Sequence, residues 1–215
     1  PYTQFAVLDV REAQRLSLKV KQHLQRMLES ARLDPGFLEA AARYLGWGGV
    51  QAWVVDTQPT VRNLKRGTFG EVLLGAMLEE SHGYVIPVRK LQFTITRNQS
   101  LPGTDTIALK LDKQGKIEEI CFVESKLRTT PDTGAATQGY AQLRTDYEEK
   151  TPDMLRFIAA RLYDRQDPLF DRFMTYMRDR ADTRDKETFR LGLTCDNAAW
   201  TETALQNLED NGVDR

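Results

Sequence analysis

The sequence predicts an α/β (α+β) fold in which helices flank a central mixed sheet that contains an antiparallel meander. Three alternating apolar runs lie close together between residues 88 and 127, and turn residues separate them. Stretches with apolar residues at helical spacing come before and after these runs. We expect two parts, an N-terminal helical layer over residues 1–58 and a core with C-terminal helices over residues 59–215.

The N-terminal layer is predicted to contain two helices. Asp9 and Glu12 form a capping-box start for a helix over residues 9–31, whose apolar residues recur at helical spacing. An Asp-Pro pair then starts a helix over residues 36–45, which glycines end. Residues 50–55 are predicted to form a short strand or an extended connector.

The next segment changes from helical to strand periodicity. A helix is predicted over residues 68–81, and Glu71 lies in its first turn. The meander follows, with strands over residues 88–96, 106–111 and 117–127. The tight turn Asp112-Lys113-Gln114-Gly115 joins the last two strands and makes them antiparallel neighbours.

The rest of the chain is predicted to be mainly helical. Proline and capping signals mark several starts, and one more alternating run supplies the last strand. The predicted elements are helices over residues 135–147, 152–162 and 168–177, a strand over residues 189–195, and a helix over residues 197–208.

The turn between the last two meander strands should bring two acidic residues together. Asp105 lies 9 residues before Gln114 (114 − 105) and Glu124 lies 10 after it (124 − 114), so both lie near the same end of the paired strands. Residues two apart share one face of a strand, so Lys126 should lie beside Glu124.

Two adjacent carboxylates repel each other unless a cation or a proton lies between them. Mg²⁺ prefers hard oxygen ligands and keeps several waters, one of which can act as a nucleophile. A nearby lysine can help orient or deprotonate such a water and neutralise charge on a phosphate. Asp105, Glu124 and Lys126 therefore point to hydrolysis of phosphodiester bonds, with Mn²⁺ able to replace Mg²⁺.

The order of elements, with PGTD ending at Asp105 and VESK ending at Lys126, resembles the PD-(D/E)XK or restriction-endonuclease-like nuclease superfamily over about residues 60–195. The resemblance implies a restriction-endonuclease-like core in which Asp105 and Glu124 bind Mg²⁺ and Lys126 is the catalytic lysine. It also implies metal ligation by the main-chain carbonyl of Ser125 and by Glu71. Thr68-x-x-Glu71 is equally a capping box, in which Glu71 would bond the chain rather than a metal.

The resemblance also implies that Gln138, with Gln142 as the less favoured alternative, is the polar residue that some families carry after the last meander strand. Further nucleic-acid contacts are expected from basic residues near the site, Lys90 and Arg128, and from Lys65 and Arg66. There are two competing interpretations. The basic residues can simply be solvent-exposed, and the glutamine can lie on a helix surface without a function.

The segments GTFGEVLLGAMLEE, GTD, ESK and AATQGYAQL are similar to nucleases of bacterial anti-phage systems, specifically the nuclease subunit of the Hachiman system. This similarity implies DNA as the substrate, with RNA left open, and a helicase or another defence subunit as a regulatory partner. DNA restriction is the related role. The alternative is a catalytically inactive nucleic-acid or protein interaction module on the same fold.

Net charge and sequence patterns argue against several other classes of protein. The net charge of −1 is weak evidence against a protein that coats DNA with its whole surface. No apolar run approaches the length of a membrane span and no secretory leader is recognisable, so a cytoplasmic location is expected. The two cysteines and two histidines lack zinc-site spacing.

Overall fold

The computed structural model describes residues 18–201 and 203. This part contains five α-helices and a three-stranded mixed sheet, so the α/β class is confirmed. The elements in chain order are α1 (Leu18–Ser30), α2 (Pro35–Thr57), α3 (Arg62–His82), β1 (Thr106–Leu111), β2 (Ile117–Arg128), α4 (Ala135–Asp164), α5 (Leu169–Arg178) and β3 (Glu187–Cys195). Two predictions fall largely outside the described residues, namely the first half of the helix over residues 9–31 and most of the helix over residues 197–208.

The sheet has the order β1-β2-β3, with β2 in the centre. β1 is antiparallel to β2, and the turn between them is held by the Asp112 carboxylate, which accepts hydrogen bonds from the Gln114 and Lys116 amides at 2.9 and 2.8 Å. β3 is parallel to β2, and α4 and α5 make the crossover that a parallel connection needs.

The predicted meander is wrong in its first strand. Residues 90–93 form a 3₁₀ turn, and an isolated antiparallel bridge between Val85 and Leu109 occupies the outer edge of β1. Most apolar residues of the predicted strand are buried or partly buried without strand pairing. Val88 and Leu91 are buried, and Phe93 packs edge-on against Phe157 with ring centroids 5.3 Å apart, whereas Ile95 is 89% exposed. Burial rather than sheet pairing therefore explains the first three apolar positions of the pattern.

Helices cover both faces of the sheet, α3 on one face and α4 with α5 on the other. Leu78 of α3 packs with Cys121 and Val123 of β2, whereas Leu143 and Leu155 of α4 belong to the cluster that surrounds the other face of β2. This alternation along β2 is the period-two pattern of a strand buried on both sides. It also sets which polar residues at the end of β2 face each helix.

Two helices differ from the prediction in the first third of the chain. The predicted helix does not stop at Gly46. This residue, with φ of 67°, kinks the chain, and α2 continues to Thr57. The predicted strand over residues 50–55 is therefore wrong. α3 begins at Arg62, so Thr68 lies inside the helix and cannot cap it.

The helices predicted over residues 135–147 and 152–162 form one continuous helix, α4, which accommodates Pro152 in its interior. Among the described residues, no helix is long and apolar enough to cross a membrane.

Candidate active site

A cleft of about 360 Å³ opens where α3, β2 and α4 meet the segment before β1. Its lining includes the three carboxylates predicted from the sequence, those of Glu71, Asp105 and Glu124, together with Ser125 and Lys126. The structure therefore brings together residues that are up to 55 positions apart in the sequence (126 − 71).

Strand register places Asp105 beside Glu124. Thr106 pairs with Val123, so the residue before β1 lies opposite Glu124. The Asp105 Oδ2 atom accepts a hydrogen bond from the Ser125 amide at 2.9 Å, which fixes its carboxylate at the edge of β2. The amide and carbonyl of one strand residue point to the same side, so the Ser125 carbonyl points to this edge as well.

Lys90 fixes the segment that leads into Asp105. Its ammonium group donates to the carbonyl oxygens of Gly103 and Thr104, both at 2.9 Å, and to that of Leu101 at 3.4 Å. It also lies 3.9 Å from Asp105 Oδ1. Lys90 was predicted to bind nucleic acid, but the structure directs its ammonium group to these backbone oxygens.

Glu124 and Lys126 lie on the α4 side of β2, two residues apart, as predicted. The Lys126 ammonium group is 2.6 Å from Glu124 Oε1, and the side chains are 22% and 6% exposed. Gly139 of α4 packs directly on this lysine, since a Cβ at position 139 would lie 3.2 Å from Lys126 Cγ. The helix thereby confines the lysine stem.

Glu71 reaches the site because α3 packs closely against the end of β2. A Cβ at Gly70 would lie 2.7 Å from Ser125 Oγ, so glycine permits this approach. Glu71 occupies the interior of α3, nine residues after Arg62 (71 − 62), so it is not in a first turn. The capping-box alternative for Glu71 is therefore wrong.

Burial, and after it the charge of neighbouring carboxylates, raises the pKa of all three carboxyl groups. Burial, followed by the charge of Asp105, raises the pKa of Glu71 to about 8. Burial also raises the pKa of Asp105, although Lys90 and the Ser125 amide oppose the rise. The pKa of Glu124 is raised by burial and then by Asp105. This concentration of negative charge favours a bound cation.

The donor set suits a hard divalent cation. Among the residues that the structure describes, no group of three or more His, Cys, Asp or Glu side chains is placed so that it could hold a metal ion by itself. Mg²⁺ does not require such a group, because it commonly binds one or two carboxylates and completes its shell with waters and substrate phosphate. Asp105, Glu124, the Ser125 carbonyl and Glu71 would supply the oxygen ligands.

The other predicted nucleic-acid contacts do not line the cleft. Lys65 is exposed on α3 and Arg66 is partly exposed beside it. Arg128 forms an ion pair with Asp132, with 2.7 Å between Nε and Oδ2. Gln138 lies in the first turn of α4 near Gly134. The proposal that these four residues contact nucleic acid therefore stays a prediction, and it would place the contacts outside the cleft lining.

Three charged residues in the cleft lining, Arg32, Asp146 and Lys150, were not selected from the sequence, and Gln142 was selected only as the less favoured alternative to Gln138. Gln142, Asp146 and Lys150 lie four residues apart on α4 and form one stripe that faces the cleft, and Arg32 lies in the lining as well. Asp146 is buried and its Oδ1 atom is 2.5 Å from Lys150 Nζ. The i, i+4, i+8 spacing of Gln142, Asp146 and Lys150 in the sequence could have indicated that they share one face of a helix. That face lines the cleft, which favours Gln142 over Gln138 as the glutamine of the site.

Comparison with known proteins points to one family. A model of the HamA family matches residues 15–211. The Hachiman protein HamA of Bacillus cereus is 31% identical over 106 residues, which cover 49% of this chain and 36% of that protein. The matched region thus spans about a third of the length of this curated relative.

Proposed function

The chain belongs to the HamA family, and we propose that it acts in Hachiman anti-phage defence as a Mg²⁺-dependent nuclease that hydrolyses DNA phosphodiester bonds. In this proposal the α/β core is of the restriction-endonuclease-like, PD-(D/E)XK type. The observation that carries the proposal is the cleft in which Glu71, Asp105 and Glu124 meet beside Lys126.

Each of these residues has a defined task in the proposed reaction. Asp105, Glu124 and the Ser125 carbonyl hold the cation, and Glu71 adds a ligand from α3. The cation, when bound, lowers the pKa of a coordinated water and offsets the charge of the phosphate.

Lys126 acts on the charge that develops on the phosphate. Its ammonium group is 2.6 Å from Glu124 Oε1, and its stem packs against α4 at Gly139. A fixed cation at this position stabilises a pentacovalent phosphate more than it stabilises the ground state. The side chain is 22% exposed and lines the cleft, so a substrate in the cleft can reach it.

A helicase or another defence subunit is the proposed partner. The match to the Bacillus cereus protein covers about a third of that protein, so the activity of a larger assembly can depend on parts that the matched region does not include. Control by a partner that restrains or directs the nuclease fits such an arrangement.

One observation favours the alternative, a non-catalytic module that binds nucleic acid or protein. The ammonium groups of Lys126 and Lys90 already neutralise part of the charge of Glu124 and Asp105, at 2.6 and 3.9 Å. A site balanced internally in this way does not require a metal. The two functions differ in whether the chain cleaves DNA or only binds a partner molecule.

Cleavage of linear, supercoiled and single-stranded DNA in Mg²⁺, with chelator as the blank, tests the proposal. Lys126→Met should lower the rate at least about a hundredfold, in the range that loss of one charge-stabilising group causes. Lys113→Met, in the exposed turn between β1 and β2, is the matched control. Equal cleavage by the wild type and Lys126→Met, in the isolated chain and in the complex with its co-purifying partner, would refute the nuclease. DNA binding without cleavage in both preparations would establish the alternative.

A further inference from the structure

Arg32 is a buried cation in the wall of the cleft. It follows α1, is 4% exposed, and belongs to the cleft lining together with Thr68 and Glu71 of α3. Its Nη1 atom donates to Thr94 Oγ1 at 3.0 Å and its Nη2 atom donates to Thr68 Oγ1 at 3.4 Å. Its Nε atom is buried without a hydrogen-bond partner.

These contacts leave the guanidinium group without a directly bonded negative partner. Both acceptors are neutral hydroxyls, and within the described part of the chain no carboxylate forms an ion pair with Arg32, although the negative charge of Glu71 acts on it. A buried charge that is not directly paired is costly, and buried polar groups without hydrogen-bond partners are rare in folded proteins. The guanidinium group therefore keeps hydrogen-bonding capacity that an anionic ligand in the cleft can use.

The position of Arg32 selects the kind of anion. Thr68, which accepts from its guanidinium group, is three residues before Glu71, and residues three apart are neighbours on one face of a helix. An anion bound to Arg32 would therefore lie near Glu71, at the edge of the carboxylate group. The planar fork of donors in arginine matches two oxygens of a phosphate group.

Resting on the proposed nuclease function, we propose that Arg32 binds the non-bridging oxygens of a backbone phosphate adjacent to the one that is cleaved. This contact is independent of base sequence and positions the strand across the carboxylates. Lys150 of α4 lines the same cleft, but its ammonium group is paired with Asp146, so Arg32 is the cation that this proposal assigns to the phosphate.

A salt titration of DNA binding separates this role from a purely structural one. Each neutralised phosphate contributes about 0.9 to the slope of log K against log salt for duplex DNA and about 0.7 for a single strand. The dissociation constant of a labelled oligonucleotide is measured by fluorescence anisotropy at several KCl concentrations. Ca²⁺ replaces Mg²⁺ to keep the substrate intact, and the full chain is used with any subunit that co-purifies.

Three variants make the comparison. Arg32→Gln removes the charge, and it should weaken binding at least about tenfold and lower the slope by 0.7–0.9. Arg32→Lys keeps the charge but loses the fork, so it should bind more weakly at an unchanged slope. Thr94→Val removes one hydroxyl that holds Arg32 and keeps its charge, so it controls for the link between α1 and the segment before β1.

A second measurement needs no variant. An oligonucleotide with one neutral methylphosphonate linkage should bind the wild type about tenfold more weakly when that linkage lies next to the scissile position. This result covers the case in which Arg32→Gln does not fold, which thermal melting of each variant would reveal.

The outcomes are distinct. An unchanged salt slope in a folded Arg32→Gln protein overturns the phosphate contact, and so does an equal loss of slope in Thr94→Val. For an unfolded Arg32→Gln protein, the absence of any methylphosphonate effect near the scissile position overturns it. Failure of the wild type to bind or cleave DNA overturns the nuclease proposal, and the phosphate contact falls with it.

Discussion

A buried carboxylate at the start of β3 allows a quantitative test of how the sheet is held together. The Glu187 side chain is 1% exposed and accepts hydrogen bonds from Tyr147 of α4 and Tyr176 of α5. Arg180 Nε also donates to it at 2.6 Å. One side chain thereby ties β3 to both crossover helices, and we predict that Arg180→Gln is strongly destabilising.

The size of the effect follows from burial. Removing one partner of a buried ion pair costs about 3–5 kcal/mol, because the remaining charge stays in a poorly solvated place. Two tyrosine hydroxyls still donate to Glu187 in the variant, so the free energy of unfolding should fall by about 3 kcal/mol. Urea unfolding at neutral pH, followed by circular dichroism, measures it.

The same segment offers a matched control. Arg178 is also 2.6 Å from its acidic partner, Asp179, but these side chains are 72% and 43% exposed, against 20% and 1% for Arg180 and Glu187. Arg178→Gln should therefore cause no measurable loss of stability, because water already solvates both charges. Equal losses in the two variants would refute the reasoning from burial.

The contribution of Glu187 to the free energy of unfolding depends on pH, and the sign of this dependence follows from its pKa. Burial alone would raise the pKa of Glu187, but the hydrogen bonds from Arg180, Tyr147 and Tyr176 outweigh it and hold the pKa below its usual value of 4.5. The contribution to stability is therefore complete above pH 4.5 and disappears as the pH falls through the lowered folded-state value. The gap between the wild type and Arg180→Gln should shrink below pH 4.5, and a gap that widens there would contradict the assignment.

Three further predictions concern the cleft. Glu71→Gln should raise the melting temperature in chelator, because it removes a carboxyl group whose ionised form is disfavoured first by burial and then by the charge of Asp105. Mg²⁺ should then stabilise the wild type more than the variant, and equal Mg²⁺ shifts would exclude Glu71 as a ligand. A Cβ at Gly139 would lie 2.6 Å from Leu191 Cδ1 and 3.2 Å from Lys126 Cγ, so Gly139→Ala should displace both side chains and slow cleavage about tenfold. Gly48→Ala, where a Cβ meets nothing within 4 Å, should leave the rate unchanged, and equal rates in the two variants would refute the packing argument. Lys90→Met should cost about 2 kcal/mol in urea unfolding, because three carbonyls of the following segment lose a charged donor; wild-type stability would show that the segment is held otherwise.

Local turn chemistry made the meeting of Asp105 and Glu124 predictable. The Asp112 carboxylate holds the reversal, and a short turn sets the strand register without help from the rest of the fold. The shared face of Glu124 and Lys126 follows from strand geometry alone. These features depend on residues that are near in sequence.

The start of α3 could not be predicted in the same way. Its N-cap residue, Val61, makes no side-chain capping bond, so the sequence carries no start signal there. Thr68 and Glu71 mimic such a signal inside the helix. The true start was therefore missed, and with it the interior position that lets Glu71 face Asp105.

The wrong strands share one cause. Residues 50–55 and 88–96 are rich in β-branched or aromatic residues, but short apolar runs do not distinguish a strand from a buried turn or a helix. The contacts that decide between them are distant in sequence, such as Phe93 with Phe157. Arg32 escaped notice for the same reason, since Thr68 and Thr94 meet it only in the folded chain.

The central place of β2 determines which parts of the site can move. β1 pairs with β2 only up to Val123, whereas β3 pairs with β2 from Ile120 to Arg128. Since the Ser125 amide points to the β1 side, the amides of Glu124 and Lys126 point to β3 and should exchange with solvent only when the whole sheet opens. Hydrogen exchange should therefore be slow along this strand and faster in the segment over residues 94–103. Conformational adjustment to a substrate is then expected in the walls of the cleft, while the strand that carries Glu124 and Lys126 stays fixed.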